Sequence, residues 1–129
     1  MRSHFLEPLL MAGSAGRQLV NERTGIVVAT DLELAVDSKA RNRGLLGRSG
    51  IAAGSVMIIA PCNAIHTFFM GFTIDVVFVD REGQVLKAYR TVRSWRVRVA
   101  IGAFAVLELA DGSIDRLGIS LHDRLSVAN

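Results

Sequence analysis

Asp75 lies within the stretch Phe72 to Val79, where Ile74, Val76 and Phe78 make one face and Asp75, Val77 and Val79 the other. Both faces are largely apolar, and a carboxylate buried there costs several kcal/mol unless a cation or several donors meet it. Arg41, Arg43 and Arg48 are the candidate partners. Two outcomes stay open: a structural Asp75–Arg48 pair tying a basic helix to a sheet, or a carboxylate that serves a ligand or acts as a general base. Cys62 and His66 stand four residues apart, a spacing at which an imidazole can lower a thiol's pKa and make a nucleophile. The plainer reading is a packed turn cysteine and a histidine bonded to backbone. Three histidines and one cysteine are too scattered for a zinc site, so no metal is expected. The glycines Gly44, Gly47, Gly50 and Gly54 match neither the dinucleotide fingerprint nor the phosphate loop, and no βαβ unit is expected around them. No cofactor is implied, though backbone N–H groups beside Arg48 could cradle an anion. Arg90, Arg93, Arg96 and Arg98 surround Trp95. They read first as a solvated basic face with Trp95 in the core, and second as a nucleic-acid surface of phosphate contacts and stacking.

Short strands must position these groups. Arg17 to Val36 reads as a hairpin turning at Asn21 to Gly25, and Asp37 or Ser38 caps a short basic helix ending near Gly44 or Gly47. Val56 to Ala60 is an apolar strand, Pro61 to Ala64 a turn, and Ile65 to Met70 a further strand. Phe72 to Val79 is central, Asp80 to Gly83 turns, and Val85 to Val92 returns. From Trp95 the set Trp95, Val97, Val99 and Ile101 is expected inward, with Arg96 and Arg98 outward. Phe104 to Leu109, a helical turn from Asp111 to Leu117 closed by Gly118, and a strand over Arg124 to Val127 complete the chain. The pattern predicts a mainly-β, compact sandwich or barrel-like single domain with two short helices over 17–129, preceded by a frayed leader over 1–16.

Composition bounds the function classes. The 129 residues are 50% hydrophobic and 21% charged, which excludes a disordered chain and suffices for one core. A lone cysteine excludes an internal disulfide framework. Mean hydropathy is high at +0.36, and 56–74 carries no charge over a span-like length. Pro61, Asn63, His66 and Gly71 would break a spanning helix, so two buried strands fit better and no membrane span is expected. Arg2 followed by an apolar run is a faint signal peptide that Glu7 and Pro8 interrupt, so a cytoplasmic location is expected. The net charge of +3 conceals two basic segments, 39–48 and 81–98, within an acidic remainder.

The motifs Arg41-x-x-Gly44-Leu45-Leu46-x-Arg48, His66-Thr67-Phe68-x-Met70, Ile74-Asp75-Val76 with Phe78 and Asp80, and Leu107-Glu108 resemble the DUF192 family of bacterial and archaeal domains over Leu32 to Val127. Many members have Phe-Trp-Met-Lys where this chain has Phe68-Phe69-Met70-Gly71. The resemblance implies a β-rich domain of jelly-roll or sandwich type and no established activity. It gathers Arg48, His66, Met70 and Asp75, joined by Phe68, into a candidate pocket. Such a pocket suits a non-enzymatic module for an anionic or hydroxylated, sugar-like small molecule. A hydrolase-like enzyme with Asp75 or His66 as general base is the alternative. A protein partner stays open as well, and nucleic acid ranks below both.

Overall fold

Alternating apolar residues and the turns between them produce ten strands and three short helices in the computed structural model, which describes residues 3–129. Gln18–Asn21 (β1) and Val27–Ala29 (β2) form the expected hairpin, and Leu125–Ala128 (β10) pairs with the other side of β1. A bend at Thr30 then takes the chain out of this sheet. Asp31–Ala35 (β3) runs parallel to Ser55–Ile59 (β4), with Asp31 opposite Ser55 and Ala35 opposite Ile59. The crossover between them carries Ser38–Arg43 (α2), whose N-cap Asp37 accepts a hydrogen bond from the Ala40 N–H at 2.8 Å. A strand–helix–strand crossover therefore does enclose the glycines, contrary to expectation, because the reading as one hairpin merges β2 and β3 across the bend.

Ala105–Ala110 (β9) lies between β4 and Ile74–Val79 (β6), and Val85–Val92 (β7) forms the far edge, in the order β3-β4-β9-β6-β7. Ala64–His66 (β5) and Val97–Val99 (β8) make a separate two-stranded ribbon. Among the described residues these sheets do not close into a barrel. The fold is a mainly-β single domain. Alternation sorts the five-stranded sheet onto two cores. Val56, Ile58, Val77, Val79, Leu107 and Leu109 join one core with β1, β2 and β10, while Met57, Ile59, Val76, Phe78 and Val106 join another with Ile65 and Met70. Every residue of β6 is buried, as its two apolar faces require. No helix among the described residues is long and apolar enough to cross a membrane.

Three expectations meet a different outcome. Met1 and Arg2 lie outside the described residues, but within the segment expected to fray, Glu7–Ala12 (α1) is helical, with Leu6 and Leu9 buried in the first core. Pro8 sits in its first turn, where no intrahelical N–H is lost. The two expected helices are α2 and Ser113–Leu117 (α3), so α1 is a third. The strand expected to reach Met70 ends at His66, because the Thr67 hydroxyl turns inward, accepting from Arg96 N–H at 2.9 Å and donating to Arg93 O at 2.5 Å. The phase of β8 is inverted. Trp95, Val97, Val99 and Ile101 are exposed, while Arg98 is half-buried with its guanidinium 5.5 Å from the centre of the Tyr89 ring. A long arginine stem can cover apolar surface as well as an aliphatic residue does, so hydropathy alone does not set the phase.

Gly83, in the turn between β6 and β7, has φ +84° and lies against β10, where a Cβ would stand 2.1 Å from the Leu125 carbonyl oxygen. Gly83→Ala is expected to lower stability by at least about 2 kcal/mol in urea unfolding, through both the positive φ and the displaced strand. Gly50→Ala, where a Cβ meets nothing within 4 Å, should stay within about 0.5 kcal/mol of the parent.

Candidate functional site

Asp75 is fully buried, but its partners are not arginines. Its Oδ1 accepts the Thr91 N–H at 2.9 Å and its Oδ2 the Ile114 N–H at 2.8 Å. The strand registry explains the first bond. Ile74 pairs with Val92 and Val76 with Tyr89, so Arg90 and Thr91 bulge opposite Asp75 and free an N–H that must be met. The second bond caps α3, whose N-cap Gly112 has no side chain to do so. The expected Asp75–Arg48 pair is absent. Arg48 instead makes a bidentate pair with Glu33, Nη1 to Oε1 at 2.8 Å and Nη2 to Oε2. Alternation also sends Asp75 to the face of the first core, away from His66 and Met70, so it cannot serve as a general base beside them.

On the opposite face a cleft of about 300 Å³ opens between α2, the Pro61-to-His66 segment and the second core. Arg41, Arg43, Gly44, Cys62, Asn63, His66 and Met70 line it, and Glu108 lies at its buried side. Of the residues expected to form a pocket, His66 and Met70 line this cleft, whereas Arg48, Phe68 and Asp75 do not. Glu108 stands in β9 opposite Val76, is 3% exposed, and has an Oε1 atom without a hydrogen-bond partner. Burial pushes its carboxyl up to about 7, and the Arg48 charge pulls only partway back. Gly44 packs directly over that oxygen, and a Cβ there would stand 3.4 Å from it.

Of the two arginines at the cleft, Arg41 is tied down by its neighbours. Arg41 donates Nη1 to the Pro61 carbonyl at 3.1 Å and Nη2 to Ser38 Oγ at 3.3 Å, leaving a buried Nε unpaired. His66 Nδ1 accepts the Phe68 N–H at 3.3 Å, which leaves the proton on Nε2 as a donor. Cys62 is half-buried and donates Sγ–H to the Ala64 carbonyl at 3.1 Å, and burial pushes its thiol pKa up. That is the opposite of an activated nucleophile. The arginine stripe is also divided. Arg90 pairs with Asp115 at 2.7 Å, Arg98 donates to the Val97 carbonyl at 2.9 Å and Arg96 to the Ser94 carbonyl at 3.1 Å, and Arg93 and Arg96 are exposed. Among the described residues no cluster of His, Cys, Asp or Glu is arranged to hold a metal.

Sequence reasoning missed Glu108 as a site residue, although Ala-Val-Leu-Glu-Leu-Ala carries the same signal as the strand around Asp75, a carboxylate in an apolar strand.

Comparison with known proteins matches residues 19–127 to the DUF192 family, described as "Uncharacterized ACR". The chain is 33% identical over 112 residues to a UPF0127 protein of Thermococcus sibiricus (strain DSM 12597 / MM 739), covering 83% of this chain and 72% of that one. A UPF0127 protein of Thermococcus gammatolerans (strain DSM 15229 / JCM 11827 / EJ3) is 32% identical over 83 residues, 61% of this chain and 54% of that one. Two crystal structures share the fold at 24% identity. One, from Sinorhizobium meliloti 1021 and described as a candidate transcription regulator, has a TM-score of 0.75 over 86% of this chain and 91% of that one. The other, a protein of unknown function from Novosphingobium aromaticivorans DSM 12444, has a TM-score of 0.74 over 85% and 82%.

Asp75→Asn must set an amide NH₂ against one of two N–H donors, so it is expected to cost about 2–3 kcal/mol in chemical denaturation. Ligand binding in the cleft should be unaffected, and a variant as stable as the parent would contradict this clamp. Cys62 should react with iodoacetamide more slowly at pH 7 than a thiol in an unstructured peptide. Faster labelling would restore the Cys62–His66 nucleophile.

Proposed function

The chain belongs to the DUF192 family, whose membership carries no established reaction, and we propose that it is a non-enzymatic module that binds a small hydroxylated anion in the Glu108 cleft. The buried, unpartnered Oε1 of Glu108 carries this reading. An unmet buried polar atom is costly, and a ligand hydroxyl placed against it would relieve that cost. Arg41 and Arg43 at the same cleft suit a carboxylate or phosphate on the ligand, with His66 Nε2–H as a further donor. About 300 Å³ accommodates a molecule of monosaccharide size. Two features favour binding over hydrolysis: Asp75 is committed to two backbone N–H groups, and the Cys62 thiol is held by the Ala64 carbonyl with its pKa raised.

The pH dependence follows from the raised Glu108 value. Between about 4.5 and 7 the folded chain holds a proton that the unfolded chain has released. Stability therefore falls as pH rises through this window, by on the order of 3 kcal/mol in total. Below pH 7 the neutral carboxyl can donate to an anionic ligand; above it the ionised form repels one. Thermal-shift and calorimetric titrations with gluconate, glucose 6-phosphate and neutral glucose test the reading. The anions should raise the midpoint more than glucose, with affinity declining as pH rises through about 7. Glu108→Gln should flatten both pH profiles, and Arg43→Gln should weaken anion binding by about tenfold without unfolding the chain. A midpoint unmoved by all three compounds at millimolar concentration, or an unchanged profile in Glu108→Gln, would sink it.

A further inference from the structure

The inversion of β8 leaves an apolar face in water. Val97 and Val99 are 54% and 53% exposed, Ile101 is 100% exposed, and the alternation places all three outward. Across the ribbon, Ala64 pairs with Val99 and His66 with Val97, so the same outer face continues into an aromatic ladder. His66 stacks on Phe68 at 4.7 Å, Phe68 on Trp95 at 5.3 Å, and Phe69 meets Trp95 edge-on at 4.6 Å. Phe69 and Trp95 are 78% and 57% exposed and have φ of 65° and 63°. Both are bulky residues in a backbone region they rarely occupy, in turns closed by the Met70 and Trp95 N–H groups on the Thr67 carbonyl.

The segments that build this face carry charge of one sign, with Asp111 reaching only its margin at Thr73 and Thr91. The segments 61–74 and 92–107 contain no Asp or Glu, and Arg93 and Arg96 are exposed with no ion pair among the described residues. This charge favours an anionic partner over a neutral or cationic one.

Three observations decide which anionic partner fits. Added strands are disfavoured, because the Tyr89 hydroxyl donates to the Val99 carbonyl at 3.0 Å and Arg98 to the Val97 carbonyl at 2.9 Å, blunting the free edge of β8. Base stacking is disfavoured, because Phe68 lies between His66 and Trp95, and three aliphatic side chains in the patch have no stacking use. Finally, Phe69 and Ile101 project from turns, Ile101 fully exposed and Phe69 resting only its ring edge against Trp95. Such projections require a matching socket on a protein, but a fluid lipid surface deforms around them.

We propose that the outer face of the β5–β8 ribbon, with Phe69, Trp95 and Ile101 as its apolar contacts and Arg93 and Arg96 as its cationic ones, docks on a bilayer surface bearing anionic headgroups. The rings sit at headgroup level, where Trp and Phe partition well, and the guanidiniums meet lipid phosphates. Docking is reversible and peripheral. The Glu108 cleft borders this face through Ala64 and His66, so it would open beside the lipid surface.

Trp95 is the chain's sole tryptophan and thus a direct reporter. Titration of the intact protein with phosphatidylcholine vesicles containing 30–40% phosphatidylglycerol (roughly a strongly anionic surface) should blue-shift its emission and carry the protein into the floated fraction. Pure phosphatidylcholine vesicles should do so far less, and added salt should reverse the effect. Arg93→Gln with Arg96→Gln should lower the partition coefficient by roughly tenfold to thirtyfold. Phe69→Ser with Ile101→Ser should lower it by at least about tenfold, with Trp95 kept as reporter. All four side chains are exposed, and an unchanged thermal midpoint verifies folding. No emission shift and no flotation with anionic vesicles would overturn the proposal. A response to oligo(dT) in place of vesicles would overturn it in favour of single-stranded nucleic acid.

Discussion

A strand buried on both faces admits a carboxylate only where the fold brings donors to it, and the two central strands of this domain each carry one. Asp75 in β6 and Glu108 in β9 lie one residue out of register across the ladder, since Val76 pairs with Glu108 and Asp75 with Leu109. They consequently face opposite cores. Asp75 gathers the bulge of β7 and the N-terminus of α3, so three elements converge on one side chain. Both carboxylate oxygens are met by backbone N–H donors, and loss of the side chain would release both elements together. Glu108 Oε1 receives no such donor, and burial favours the protonated form of this carboxyl.

The crossover between β3 and β4 opens a cleft on the Glu108 side of the sheet. In a hairpin connection the second core would be covered by a short turn. The longer path through α2 places Arg41, Arg43 and Gly44 above Glu108 and leaves space between them and the Pro61-to-His66 segment. Asp37 starts the helix, and the Arg48–Glu33 pair ties its exit back to β3. Exposed pairs of this kind contribute little stability. This one fixes geometry, holding the Arg48 guanidinium on Glu33 instead of letting it reach Glu108.

Much of this was legible in the residues, and the failures have specific causes. The two-sided burial of β6 and the turns at Asn21–Gly25 and Asp80–Gly83 follow from period-two patterning and turn chemistry. That Asp75 needed partners was equally legible. That the partners are backbone N–H groups was not, because a bulge and a helix end are tertiary outcomes with no sequence motif. The phase of β8 failed for a related reason: Arg98 is half-buried with its guanidinium over the Tyr89 ring while two valines face water, and hydropathy scores that arrangement backwards. Pro8 reads as an interruption of an apolar run, yet in a first turn it is compatible with helix, and Leu6 and Leu9 then reach the core.

The arrangement of arginines around Glu108 explains why an ion pair does not form there. Arg48 is held bidentately by Glu33, and Arg41 is held by the Pro61 carbonyl and Ser38. Bringing either guanidinium to the buried carboxylate would break these bonds and desolvate a second charge. The cations thus remain close enough to attract an anion but too constrained to neutralise the cleft's own acid. Under the proposed function, fixed donors beside an unmatched acceptor would suit a guest carrying both an anion and a hydroxyl, because little internal reorganisation would accompany its entry. His66 extends this logic outward, since its Nδ1 is committed to Phe68 while its ring supports the aromatic ladder. A guest drawing on Nε2–H would therefore contact the same ring that anchors the exposed face, making His66 the physical link between the polar cleft and the apolar ribbon.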